Sequence, residues 1–280
     1  MAPFCHAHIW CLRAWFGICA LTYVVIGYLF SFDMNYLALY PGIVRAHPVG
    51  KVVAFAALTL VFALLGRLVR GVTSGGAVAG AAVCFVLLWV ADVAGFAGLL
   101  TVFVLTWIAT RFGYKRKQRL GTAEARTGRN AFQVLANLGA SGICAVLYAT
   151  LWPDRRFLVA MAAALAEAAA DTVSSEMGQG MGGVPRLITT WQKVEPGTDG
   201  AVTLAGTVDG ATAALAVALV FALTRILSWQ SFAVCAGAGA AGMIFDSFLG
   251  ATFERKHWLG NNAVNFGSTI VAAAVAFSLC

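Results

Sequence analysis

Acidic residues are scarce in this sequence, 12 in 280, and several stand at spacings that could do chemistry. Glu167 and Asp171 are followed by Ser174, Ser175 and Glu176. On a helix Glu167, Asp171 and Ser174 or Ser175 share one face. Carboxylates beside hydroxyls suit a hard cation such as Mg²⁺, which takes oxygen ligands and completes its shell with phosphates and water. The plain alternative is a helix end whose acids face water. A further acid, Asp246, lies in an apolar stretch with Gly242 and Gly250 on the same face. An acid in such surroundings needs a metal or a polar partner, such as a helix–helix hydrogen bond.

Other polar groups cluster around these acids. Gly178, Gly180 and Gly183 match GxGxxG, but after a helix rather than a strand, so the dinucleotide-binding context is missing. The expectation is a glycine loop beside phosphates, whose bare N–H groups can cradle anions. The stretch from Pro185 to Gly200 mixes Arg186, Lys193, Glu195 and Asp199 with Thr189, Thr190 and Thr198. Its cations could neutralise phosphate oxygens, and Asp199 could hold a metal or a ribose. Arg126, Asn130, Gln133 and Asn137 form a stripe at helical spacing beside Arg129. Amides facing lipid are costly, so the stripe points inward, to bind nucleotide or to hold helices together. Asn261, Asn262 and Asn265 exceed the needs of one helix cap.

The elements that must position these residues are membrane helices. The chain is 60% hydrophobic and 11% charged, with a mean hydropathy of +0.82, whereas soluble domains carry about 25% charged residues. This excludes a soluble enzyme, a disordered chain and a nucleic-acid binder. The expected fold is all-α, a polytopic bundle of about nine spans: 10–30, 49–66, 76–91, 94–110, 131–152, 157–171, 207–228, 232–250 and 263–279. The third and fourth are close enough to form one hairpin. The seven cysteines form no CxxC pair, so a disulfide framework or zinc site is not expected. His6 and His8 are too isolated for a metal site, and the first span is expected to be uncleaved.

Lys and Arg set the orientation. With the N-terminus cytoplasmic and the C-terminus outside, only Arg45, Lys51, Arg155, Arg156 and Arg225 face outward; every other Lys and Arg is cytoplasmic. The polar loops 111–130, 171–206 and 251–262 then share the cytoplasmic side, as a membrane kinase or transferase requires. The basic run from Arg111 to Arg119 reads as a topology signal and a contact for anionic lipid headgroups.

Over roughly residues 70–275 the chain resembles the integral-membrane isoprenyl-phosphate kinases typified by plant phytyl-phosphate kinase, a group that includes transmembrane protein 19 and is related to CTP-dependent dolichol and phytol kinases. The resemblance rests on six segments in order: Arg129 to Asn137, Asp171 to Glu176, Pro185 to Thr190, Val194 to Gly200, Asp246 to Ala251, and Asn261 to Asn265. It implies residues 1–70 as transmembrane helices without a recognised motif and 71–280 as a membrane-embedded kinase-like domain. The implied activity is transfer of the γ-phosphate of a nucleoside triphosphate, CTP favoured, with Mg²⁺, to an isoprenyl monophosphate. The alternatives are an isoprenoid alcohol kinase and a transporter of an anionic lipid or small solute.

Phosphoryl transfer asks a protein for positioning and charge neutralisation. Asp171, Glu176 and Asp246 are then the expected catalytic acids and metal ligands, with Glu167 as a further ligand. Lys193 and Arg129 are the catalytic cations. Arg186, Gly197, Thr198, Asp199, Gly200, Asn130, Gln133, Asn137, Ser175, Asn261, Asn262 and Asn265 are expected around nucleotide and phosphate. The partners are the isoprenyl phosphate, the nucleotide and membrane lipids, with no nucleic acid; the expected location is a bacterial plasma membrane, the site facing the cytoplasm. No inverted repeat supports a transporter. The aspartate signature of CDP-alcohol phosphotransferases is absent, since Asp209-Gly210 lacks its Arg.

Overall fold

The computed structural model of the chain describes residues 48–280, Trp152 excepted. The expected span 10–30, with His6 and His8, lies outside the described residues. Among those described there are eight α-helices: α1 (Pro48–Leu68), α2 (Ser74–Arg111), α3 (Tyr114–Leu120), α4 (Ala131–Thr150), α5 (Arg155–Met181), α6 (Leu204–Leu223), α7 (Trp229–Leu249) and α8 (Asn261–Leu279). A π-turn, Gly250–Glu254, prolongs α7. Two short strands, β1 (Arg186–Leu187) and β2 (Ala201–Val202), pair antiparallel.

Every helix but α3 is long and apolar enough to cross a membrane, which makes seven. α2 is not one rod. Asp92 breaks it with φ 52° and ψ −145°, and its far end returns to its start. Trp107 Nε1 and Arg111 Nη2 both donate to Val69 O, at 3.2 and 2.5 Å. A straight helix of this length would hold those ends roughly 55 Å apart. The arms 74–91 and 93–111 are therefore the expected hairpin. The described residues make seven to eight crossings, where eight of the nine expected spans fall.

α5 is the central helix. Leu158 to Ala170 are all buried, and the helix packs against α2, α4, α6, α7 and α8. Its run of alanines lets neighbouring backbones approach closely, where packing rather than hydrophobicity joins helices in lipid. It starts on Asp154, whose side chain accepts from Arg156 N–H, and stops at Gly182 with φ 75°. It thus runs ten residues past the expected end at 171. Gly178 and Gly180 are helical, not part of a phosphate-cradling loop. They allow close contact instead: a Cβ would stand 2.7 Å from Thr203 Oγ1 at Gly178 and 2.9 Å from Phe112 Cδ1 at Gly180.

The loops alternate between the two ends of the bundle. At one end Thr73 N–H donates to Arg129 O at 2.9 Å, and Arg116 Nε donates to Gln179 O at 3.1 Å. At the other, Arg155 Nη2 donates to Ile226 O at 3.3 Å, and Arg156 lies over the Phe277 ring. The three polar loops share one end, as the distribution of Lys and Arg predicts.

Candidate functional site

A polar pocket of about 240 Å³ opens at this end. α5 supplies Asp171, Ser174 and Ser175, and α7 supplies Asp246 and Ser247. The loop before β2 supplies Gly197, Thr198, Asp199 and Gly200, the π-turn Glu254, and the start of α8 Asn261. Residues drawn from 171 to 261 thus share one cavity because α5, α7 and the loop meet there.

The acids set its chemistry. Asp171 and Asp246 lie within hydrogen-bonding reach of each other. Ser268 Oγ donates to Asp246 Oδ2 at 3.0 Å. Glu167 faces both aspartates from beneath; it is 1% exposed, and its Oε1 has no hydrogen-bond partner. Gly242 makes this approach possible, because a Cβ there would stand 2.6 Å from Glu167 Cγ and 2.9 Å from Ala272 Cβ. Gly200, at φ +73°, carries the loop over the pocket where a side chain would collide with Ala251.

Carboxylates this close repel one another and call for a countercharge. Among the described residues no three acidic, histidine or cysteine side chains form a ready metal-ligand group. The arrangement fits a cation held through Asp171 and Asp246 with its remaining ligands from phosphate and water, the usual pattern for Mg²⁺. The four-acid set drawn from the sequence is too large. Glu176 is elsewhere: buried, it is ion-paired with Lys117 Nζ at 2.5 Å, and Lys117 also donates to Ala109 O and Thr110 O.

The expected cations divide. Lys193 and Arg186 are exposed on the β-hairpin, with Arg186 Nη1 donating to Trp191 O, and neither lines the pocket. Arg116 does. Arg129 lies on the other side of α5, donating from Nη2 to Thr172 Oγ1 at 3.2 Å and acting electrostatically on Asp171.

The amide stripe is shorter than its spacing suggests. Arg126 precedes α4, over the Tyr114 ring. Asn130 caps α4 and forms a capping box with Gln133, whose Nε2 donates to Glu124 at 3.2 Å. Asn137 is buried and donates to Gln133 O. Asn262 is exposed and Asn265 half-buried, neither lining the pocket.

Sequence reasoning missed Glu254, Arg116 and Lys117. Glu254 continues the four-residue series Gly242, Asp246, Gly250, a signal that was available. Arg116 and Lys117 were hidden in a run read as lipid-facing. Lys117 is in fact fully buried, because α3 turns it onto Glu176.

Fold and pocket together define a multi-pass integral membrane protein with a polar site at one end of its bundle. Residues 57–273 match the family described as integral membrane protein DUF92, and the chain belongs to that family. An uncharacterized membrane protein of Methanocaldococcus jannaschii is 39% identical over 50% of this chain and 60% of its own length. One from Synechocystis is 33% identical over 61% of this chain and 67% of its own. The chloroplastic protein VTE6 of Arabidopsis thaliana is 30% identical over 75% of this chain and 65% of its own. The chain thus spans about two thirds of these relatives or less. No solved structure matches. The similarity to VTE6, and to protein PGR of the same plant, agrees with the resemblance drawn from the motifs.

Proposed function

We propose that the protein is a membrane-embedded kinase that transfers the γ-phosphate of a nucleoside triphosphate, CTP favoured, to an isoprenyl monophosphate, giving the diphosphate. The observation that carries this is the pairing of Asp171 with Asp246 under a glycine-containing loop, Gly197 to Gly200, at the polar end of the bundle. The similarity to VTE6 supports a prenyl-phosphate kinase-like activity.

In this reading the nucleotide phosphates enter the polar pocket beside Thr198 and Gly200. Bound Mg²⁺ would neutralise and orient those phosphates. Asp171 and Asp246 would hold the cation, Arg116 would offset phosphate charge from the α3 side, and Ser268 fixes the Asp246 carboxylate. An isoprenyl monophosphate is already ionised near neutral pH, so attack by its oxygen needs no strong base, consistent with a pocket that contains no histidine among its lining residues. The excess of Lys and Arg at the polar end supports a cytoplasmic orientation, in a bacterial plasma membrane.

The test is the purified full chain in detergent with Mg²⁺, offered CTP, UTP, ATP or GTP together with phytol, geranylgeraniol or their monophosphates. Diphosphate formed from monophosphate is the expected product. Monophosphate formed from alcohol would move the acceptor and overturn the phosphate-acceptor reading. No nucleotide binding at all would overturn the kinase.

A further inference from the structure

A second, larger cavity of about 450 Å³ lies across α5 from the polar pocket. Its size is that of a small-molecule site, roughly 300–1,000 Å³. Its interior is largely apolar, walled by Phe62, Leu99, Val102, Phe103, Val134 and Leu138, with Thr106 and Asn137 as the buried polar groups. Gly80 and Ala81 on the first arm of α2 keep it open: a Cβ at Gly80 meets only Val134 Cγ1, at 3.9 Å.

The mouth has the opposite character. Arg70, Arg111, Arg126 and Arg129 all line the cavity. They come from the segments at the polar end, and Arg129 is held there by the parallel bridge between Val72 and Arg129. Arg111 and Arg126 lie over the rings of Trp107 and Tyr114. Among the described residues the ion pairs are Lys117 with Glu176 and Arg156 with Asp154, so none of these four guanidiniums is paired with a carboxylate. The one acid at the mouth, Glu124, accepts from Gln133. Four cations around an apolar hole fit a molecule with an anionic head and a hydrocarbon tail; the guanidinium fork matches the oxygens of a phosphate bidentately, and four of them suit a multiply charged head.

We infer that this cavity binds a lipid with one apolar chain and a phosphate head, the chain between the arms of α2 and α4 and the phosphate among the four arginines. The two cavities then serve different substrates, and Arg129, touching Thr172 and acting on Asp171, joins them across α5. The floor of the cavity, at Gly80 and Ala81, limits chain length. As the seat of the acceptor this rests on the proposed kinase reading; as a binding site it does not.

Binding is measured on the full chain in detergent, without nucleotide or Mg²⁺, by native mass spectrometry with geranylgeranyl phosphate as probe. One lipid per chain is expected, and geranylgeraniol should bind roughly 10–100-fold more weakly for want of charge-assisted hydrogen bonds. The paired change Arg111→Gln with Arg126→Gln should weaken the phosphate and leave the alcohol unchanged. Gly80→Leu should weaken geranylgeranyl phosphate more than geranyl phosphate, and Ala81→Leu is the second filler should the first fold poorly. Inorganic phosphate competing as well as the lipid would overturn the inference, as would equal binding of phosphatidic acid with its two chains, or no change in chain preference with either filler. Lipid binding with these sensitivities but no phosphate transfer from any nucleotide sinks the kinase and leaves this site standing. Transfer whose chain preference and KM ignore these substitutions does the reverse.

Discussion

The two sides of the C-terminal half of α5 are built to opposite rules. Toward α7 the helix presents Asp171, with Glu167 beneath it, against Asp246. Toward α2 and α4 it presents Ala168 to an apolar cavity ringed by guanidiniums, and Thr172 to one of them, Arg129. One side gathers carboxylates, with Arg116 at the rim; the other gathers four guanidiniums, with Glu124 the one acid at its mouth. A fold selected for stability alone would let these charges meet. One alanine-rich helix holds them apart, so in the proposed reading each side is completed by a ligand of the opposite charge and the two ligands sit a helix diameter apart.

The comparison breaks most sharply at the acids. Asp171→Asn or Asp246→Asn should lower phosphate transfer by roughly 10²–10³-fold, the scale for losing a preorganised electrostatic contact. Neither should lower the melting temperature in detergent without ligand, because each removes one of two like charges held close together, and an amide still accepts the bond that Ser268 gives Asp246. A fall in melting temperature matching the fall in activity would make the pair a structural hydrogen bond instead.

A buried ion pair between the same helix and α3 makes the contrast sharper. Glu176 is neutralised by Lys117 and belongs to the scaffold that holds α3 against α5. Lys117→Met leaves a buried carboxylate unpaired and should cost about 3–5 kcal/mol of stability. Lys117→Met combined with Glu176→Met should recover much of that, with nucleotide KM unchanged, as read by melting curves and steady-state kinetics. Recovery of stability with transfer still abolished would return Glu176 to the catalytic acids.

What was legible follows from which forces were local. Span positions follow from apolar runs, and the reversal at Asp92 from the single polar residue between two of them. The C-terminal third of α5 was not legible: its glycines and serines favour a loop in isolation, whereas in the fold Gly178 and Gly180 are helical and pack closely against Thr203 and Phe112. Asp171 and Asp246 stood out because acids within spans are rare. Lys117 did not, since its partner is 59 residues away and nothing in a basic run says which member turns inward. Arg129 was expected to touch phosphate, but no spacing places it on the far side of α5 from Asp246.

Asn130 marks where composition and geometry part. Its place in the amide stripe suggests nucleotide; its geometry is that of a helix cap. Its side chain accepts from Gln133 N–H at 3.0 Å, while Gln133 Oε1 accepts from Asn130 N–H at 2.9 Å. Asn130→Ala should then cost about 1 kcal/mol of stability and leave nucleotide KM alone, while Asn130→Ser should retain nearly all the stability because a hydroxyl accepts the same bond. The effect still reaches the arginine side. Arg129 precedes the cap, so fraying the first turn of α4 should loosen its guanidinium and raise KM for the lipid phosphate by a small factor. A rise in nucleotide KM with lipid KM unchanged would put Asn130 on the acid side of α5, against the division argued from the two cavities.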